Sequence, residues 1–237
     1  MRRAAASTKG LVALLLLASC ASPPDNDQGP RQQPYTVRSL AKNDIGRVLE
    51  VHVRESRGYL RELMGKLYRR NPRELAKSAY SAEENARRLF DVRHDWQFAD
   101  VDCRDGLAAV RLSLSPEYEG DRVFAFVAGL DSMIMQAYGQ KTEFFIFDKV
   151  DPQNLYNSAR NIEIAAWKLR NERDAAGRPL IYSVSLEGEP VNLSYERLFG
   201  KLIGLQDTMA IIVEGKTGRV ITKVVQRIAT AAFLPLL

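Results

Sequence analysis

The densest run of chemistry-bearing side chains lies between His94 and Asp105, where Asp95, Asp100, Asp102 and Cys103 also fall. Imidazole, thiolate and carboxylate are all metal ligands, so calcium and zinc are the chemistries to test. Calcium fails on spacing. If Asp100 takes position 1 of an EF-type loop, position 6 should be glycine but is Asp105, and position 12 should be glutamate but is Arg111. Zinc would have one His and one Cys, His94 and Cys103, with no second pair at ligand spacing. The run reads instead as an inter-helix loop whose aspartates cap the helix after Gly106. His52, near an apolar helical stripe, reads as a partly buried structural histidine. No HExxH, GxSxG, P-loop or GxGxxG string occurs. The 29 acids leave room for a hydrolase with paired carboxylates, but no pair stands out. The expectation is no catalytic residue, no metal ligand and no cofactor.

Three further groupings have both a functional and a plain reading. Lys66, Arg69, Arg70, Arg73, Arg87 and Arg88 could face anionic headgroups or a polyanion. Glu62, Glu74, Glu83 and Glu84 are interleaved with them, which favours a solvated, salt-bridged face. Asn154, Asn157, Arg160 and Asn161 recur at helical spacing and could line a groove for a carboxylate or sugar; an ordinary exposed face is the preferred reading. Gly200 and Gly204 form a GxxxG. Lys201 and Asp207 keep that helix in water, so close helix packing inside the fold is expected.

The amino terminus is more specific. Arg2, Arg3 and Lys9 precede the apolar run Leu11 to Leu17, and Ala18-Ser19 are small. This is the layout of a secretory signal, and the run is far below the roughly 20 residues a membrane-spanning helix needs. The string Leu17-Ala18-Ser19-Cys20 resembles the lipobox of bacterial lipoproteins. The resemblance covers some twenty residues. It implies cleavage before Cys20, a diacylglyceryl group on its thiol and acylation of the new amino group. Residue 21 is alanine, where an aspartate commonly retains lipoproteins in the inner membrane; its absence resembles the outer-membrane class. Two or more acyl chains anchor stably, whereas one binds reversibly. With Cys20 lipidated, Cys103 has no intrachain partner and is expected to be a buried thiol.

The rest of the chain must position whatever function exists. Residues 21–37 hold four prolines and no apolar periodicity, which predicts a flexible tether of roughly 20–25 Å. Residues 38–237 should form one helical globular domain. Leu49, Val53, Leu60, Leu63, Met64 and Leu67 predict a helix over about 43–70. Asn71-Pro72 and Asp151-Pro152 read as N-cap pairs, and Ser81 with Glu84 as a capping box. Residues 123–140 contain one charge, Asp131, and predict a central buried helix. Phe144 to Phe147 could be a strand or a helical turn. Residues 180–193 read as a short β-hairpin. Ser194 starts a helix, and a last one should carry Ile221, Val224, Val225, Ile228 and Ala232 on one face.

The 237 residues have a net charge of +5, but without residues 1–19 the balance is 31 bases to 29 acids. The basic balance is therefore poor grounds for nucleic-acid binding. The sequence thus predicts a mainly α domain with a minor β-hairpin, held at the cell envelope by Cys20 and facing the periplasm from the outer membrane of a Gram-negative host. Its expected partners are the bilayer and an envelope protein. The expected role is non-enzymatic binding or scaffolding, with a cell-wall hydrolase using paired carboxylates as the alternative.

Overall fold

The computed structural model describes residues 44–185 and 188–236; the lipobox, the tether and the start of the globular region lie outside these. Among the described residues seven α-helices carry the fold: α1 (Asp44–Arg70), α2 (Pro72–Leu75), α3 (Ala82–Phe90), α4 (Gly106–Ser113), α5 (Arg122–Ala137), α6 (Pro152–Asn171) and α7 (Ser194–Thr217). Short 3-10 turns occur at Ala99–Val101 and Ile228–Thr230.

Local chemistry sets the helix starts. The Ser81 hydroxyl accepts from Glu84 N while the Glu84 carboxylate accepts from Ser81 N, a complete capping box. Asp151 Oδ1 accepts from Gln153 N, with Pro152 in the first turn. Asp121 caps α5 from the amides of Val123 and Phe124. Asn71 behaves differently from a cap. Its Nδ2 donates to Leu67 O and Tyr182 O, and its Oδ1 accepts from Tyr182 N, which fastens the α1–α2 corner to the segment before α7.

α5 is the centre of the core, as its composition predicts. Every residue from Arg122 to Met135 is buried. It approaches α4 closely at Gly129, where a Cβ would sit 2.7 Å from Val110 N and 2.8 Å from Gly106 O. Only glycine fits there, because the obstacle is backbone rather than a movable side chain.

α7 runs antiparallel to both α1 and α6. His52 on α1 reaches Leu205 O at 3.2 Å and Ser56 meets Gln206 at 3.1 Å, while Tyr195 at the start of α7 donates to Lys66 O near the end of α1. Arg160 on α6 pairs with Asp207, and Asp151 at the start of α6 pairs with Arg219 just beyond α7. The starts of α1 and α6 and the end of α7 thus lie at one end of the bundle. The Arg70–Asn71 corner lies at the other.

Two expected elements do not form. No strand occurs among the described residues, so the hairpin over 180–193 is absent; the one isolated bridge joins Arg173 and Pro179. The groups a hairpin would pair are taken by side chains. Tyr182 N and O go to Asn71, and Ser185 Oγ donates to Pro190 O and accepts from Asn192 N. The last helix is also absent: residues 218–236 are irregular apart from the 3-10 turn. Val and Ile at 220, 221, 224 and 225 favour helix weakly, and α6 supplies partners for the extended main chain. Phe144–Phe147, open between a strand and a helical turn on sequence, forms no strand; Phe145 to Asp148 make a single turn, with Asp148 N donating to Phe145 O at 2.9 Å.

Candidate functional site

The expected metal loop is held by protein contacts. His94 bonds through Nε2 to Leu89 O at 2.7 Å and through Nδ1 to Trp96 N at 3.3 Å, which fixes the tautomer as Nε2–H. Asp100 accepts from Arg88 at 2.5 Å, and Asp105 accepts from Gln136 at 3.1 Å. Asp105 makes no side-chain cap to α4, contrary to the capping expected there. Among the described residues no three His, Cys, Asp or Glu side chains come together to hold a metal. Cys103 corrects the expectation of a buried thiol: it is exposed. It follows Asp102 in a left-handed turn, with φ of 53° and 52° for the pair, which carries it out of the core. His52 is half-buried, and burial lowers its pKa.

The buried carboxyls are committed to structure. Asp131 is fully buried and accepts from Arg57 Nε at 3.2 and 3.3 Å. Asp121 accepts from two α5 amides and from the Tyr68 hydroxyl at 2.7 Å. Burial pushes both carboxyls up to about 6, outweighing the bonds and charges that favour ionisation. Burial, with Asp121 beside it, likewise raises the Tyr68 phenol.

The amide face of α6 has an occupant. Gln153 pairs with both Thr222 N and O, and the Tyr156 hydroxyl meets Val224 N and O. Asn157 donates to Pro235 O, and Asn161 holds Leu234 N at 2.7 Å and Leu234 O at 2.9 Å. The face expected to be solvated or to line a ligand groove binds the chain's own carboxyl-terminal segment. Asn161→Ala should cost about 1–3 kcal/mol, because it leaves two buried main-chain groups unpaired. Urea unfolding gives the loss, and hydrogen exchange should rise across residues 221–236. Unchanged exchange there would refute the clamp. Gly200 and Gly204 are a further correction: both are exposed, with open space around them, and pack against no helix.

An open, charged cleft of about 610 Å³ lies at the Arg70–Asn71 end, between the α1–α2 corner and residues 174–182. Arg70, Arg73, Lys77, Arg122 and Arg178 line it, against the acids Glu74 and Asp174. Both acids are engaged. Glu74 takes two bonds from Lys77 and one from Arg122 N, and Asp174 accepts from the Arg178 side chain and main chain. Main-chain hydrogen bonding from Arg178 is the first reason the Asp174 pKa is lowered. Arg122 is buried, and among the described residues no carboxylate pairs with its guanidinium; it donates to the carbonyls of Ser113, Ser115, Pro116 and Tyr118. Arg73 is exposed with no partner among the described residues. Arg70 is itself paired with Glu189, so the five bases and the three acids bonded to them or beside them leave a formal charge of plus two, an arrangement in which an exposed guanidinium such as Arg73 can bind an anionic group. No protein-family model, curated protein or solved structure matches this chain.

Half of this cleft was visible in the sequence as the basic run over 66–73. Its other wall, Asp174 to Tyr182, comes from the break expected at Gly177 to Pro179 and the first residues of the hairpin expected over 180–193, and nothing in its residues pointed to a cleft.

Proposed function

We propose that the protein is a lipid-anchored binding protein of the bacterial cell envelope, tethered through Cys20, that takes an anionic group, carboxylate or phosphate, in the cleft at the α1–α2 corner. The single observation that carries the binding role is the excess of cations there: five bases face three acids, Glu74, Asp174 and the Arg70 partner Glu189, all already bonded to protein groups, and the exposed Arg73 has no partner among the described residues. Support for the anchor comes from the Leu17-Ala18-Ser19-Cys20 string and its charged, apolar leader. The hydrolase alternative is less well supported. The three carboxyls with raised pKa among the described residues, Asp121, Asp131 and Glu163, serve a helix cap and two ion pairs, and none lines the cleft.

Two measurements test this reading. Metabolic labelling with a fatty-acid probe should mark the parent and not Cys20→Ala; equal labelling would end the anchor claim. Crosslinking pulldown from the native envelope should recover a ligand or acidic partner with the parent. Arg73→Glu should reduce that recovery by tenfold or more, since it replaces a free cation at the rim with an anion. Recovery unchanged by Arg73→Glu would remove the cleft from the proposal.

A further inference from the structure

One end of the bundle exposes apolar side chains that its fold does not use. The segment after α7 is held to α6 through main-chain bonds and by the buried Ile221, Ala231 and Leu234, while several of its other apolar side chains are left in solvent. Val225 is 98% exposed and Val220 84% exposed. The loop entering α6, at the same end, leaves Phe147 90% exposed and Ile146 more than half exposed. Monomeric proteins seldom leave a cluster of this kind in water without use for it.

The charge around it has one sign along the chain. No acid follows Glu214, while Lys216, Arg219, Lys223 and Arg227 do. Arg219 pairs with Asp151, but Lys223 and Arg227 have no ion-pair partner among the described residues. Among the acids nearby, Asp148 is engaged by Lys141, Glu214 by Ile221 N, Glu50 by Phe144 N, and Glu163 and Asp207 by Arg160. Exposed Phe and Val flanked by free cations match a bilayer surface bearing anionic lipid, where the rings and branched chains enter the acyl boundary and the cations meet phosphate. A second copy of the chain would fit less well, because it would bring the same positive charges against each other.

We propose that this end of the domain, with Phe147 and residues 220–227 at its contact, lies on the membrane surface and points the cationic cleft away from it. The start of α1 is at this same end. The proposal extends the envelope reading but does not need the acyl anchor, so it is tested in full-length chain carrying Cys20→Ala. Vesicles of phosphatidylcholine and phosphatidylglycerol containing brominated lipid serve as the surface. In a Cys103→Ser background, a fluorophore is placed at Phe147→Cys, Val225→Cys or Glu83→Cys, the last on α3 near the opposite end.

The expected result is strong bromine quenching at 147 and 225 and little at 83. Lys223→Glu with Arg227→Glu should weaken vesicle partitioning by tenfold or more, and neutral vesicles should weaken it similarly. Each basic side chain contributes on the order of 1 kcal/mol near such a surface. Equal quenching at all three sites, or absence of binding, would overturn the proposal. So would a charge-reversed chain that partitions like its parent, or an oligomer that dissociates in Val225→Asp without any change in vesicle binding. Labelling of Cys20 with fatty acid is a separate readout, so failure of the anchor and failure of this orientation are distinguishable.

Discussion

Arg57→Ala should destabilise the domain by about 3–5 kcal/mol at pH 8, the usual cost of removing one partner from a buried ion pair. Arg57 Nε faces both oxygens of Asp131, its Nη2 donates to Leu89 O at 2.9 Å, and its guanidinium lies over the Phe90 ring. Asp131 sits in the middle of α5 with no exposure at all. Without Arg57 the carboxylate would be ionised in an apolar surrounding, or would have to take up a proton. The loss should therefore depend on pH in a stated direction. Burial already raises the Asp131 carboxyl to about 6, above its ordinary 3.8, with Arg57 opposing. A raised acid binds more protons in the folded state, so its ionisation works against folding as pH climbs through that range. Removing Arg57 extends the penalty to higher pH. The cost of Arg57→Ala should shrink toward pH 5, where the carboxyl is mostly neutral, and grow toward pH 8. Urea unfolding at both values measures it, and an equal loss at both would show that the pair does not control the titration. Adding Asp131→Leu to Arg57→Ala should restore much of the stability at pH 8, because the unpaired charge is then gone.

Asp131 also shows what could and could not be read from the residues. That α5 would be buried follows from its composition, and with it the expectation that its one acid either lies on a narrow exposed edge or pairs with a base; the structure buries it and pairs it. Which base answers is a matter of tertiary geometry: Arg57 is 74 positions away on α1. The caps at Ser81 and Asp151 were legible because their partners lie within three residues. The same local logic failed for residues 180–193 and 220–232. There the period of the apolar residues suggested hairpin and helix, but Asn71, Gln153, Tyr156 and Asn161 offer main-chain partners from distant helices. A side-chain amide that pairs with a remote peptide leaves no periodic signal. The cleft was half-legible for the same reason, since its cations come from three separate stretches of chain. The exposed Cys103 depended on two consecutive left-handed residues, which neither Asp nor Cys announces.

Phe124→Ala and Ile134→Ala should be the costliest apolar truncations, at about 3–5 and 2–5 kcal/mol respectively. Both side chains lie on α5, and both are essentially inaccessible. Phe124 meets the Phe98 ring edge-on, with centroids 5.1 Å apart, and lies under the Arg88 guanidinium. Arg88 in turn holds Asp100 in the loop before α4. Truncating Phe124 therefore removes core volume and one wall of the contact that orders the 94–105 loop. Ile134 lacks such a polar connection, so its loss should be felt as a cavity alone. The two variants are thus separable. Both should lower the denaturation midpoint, but only Phe124→Ala should speed hydrogen exchange across residues 96–103. Val225→Ala is the control: almost wholly exposed, it should change stability by less than about 0.5 kcal/mol. A loss under about 1 kcal/mol in both core variants would place α5 at the surface. Equal exchange in the 96–103 loop for both would show that Phe124 does not brace it through Arg88.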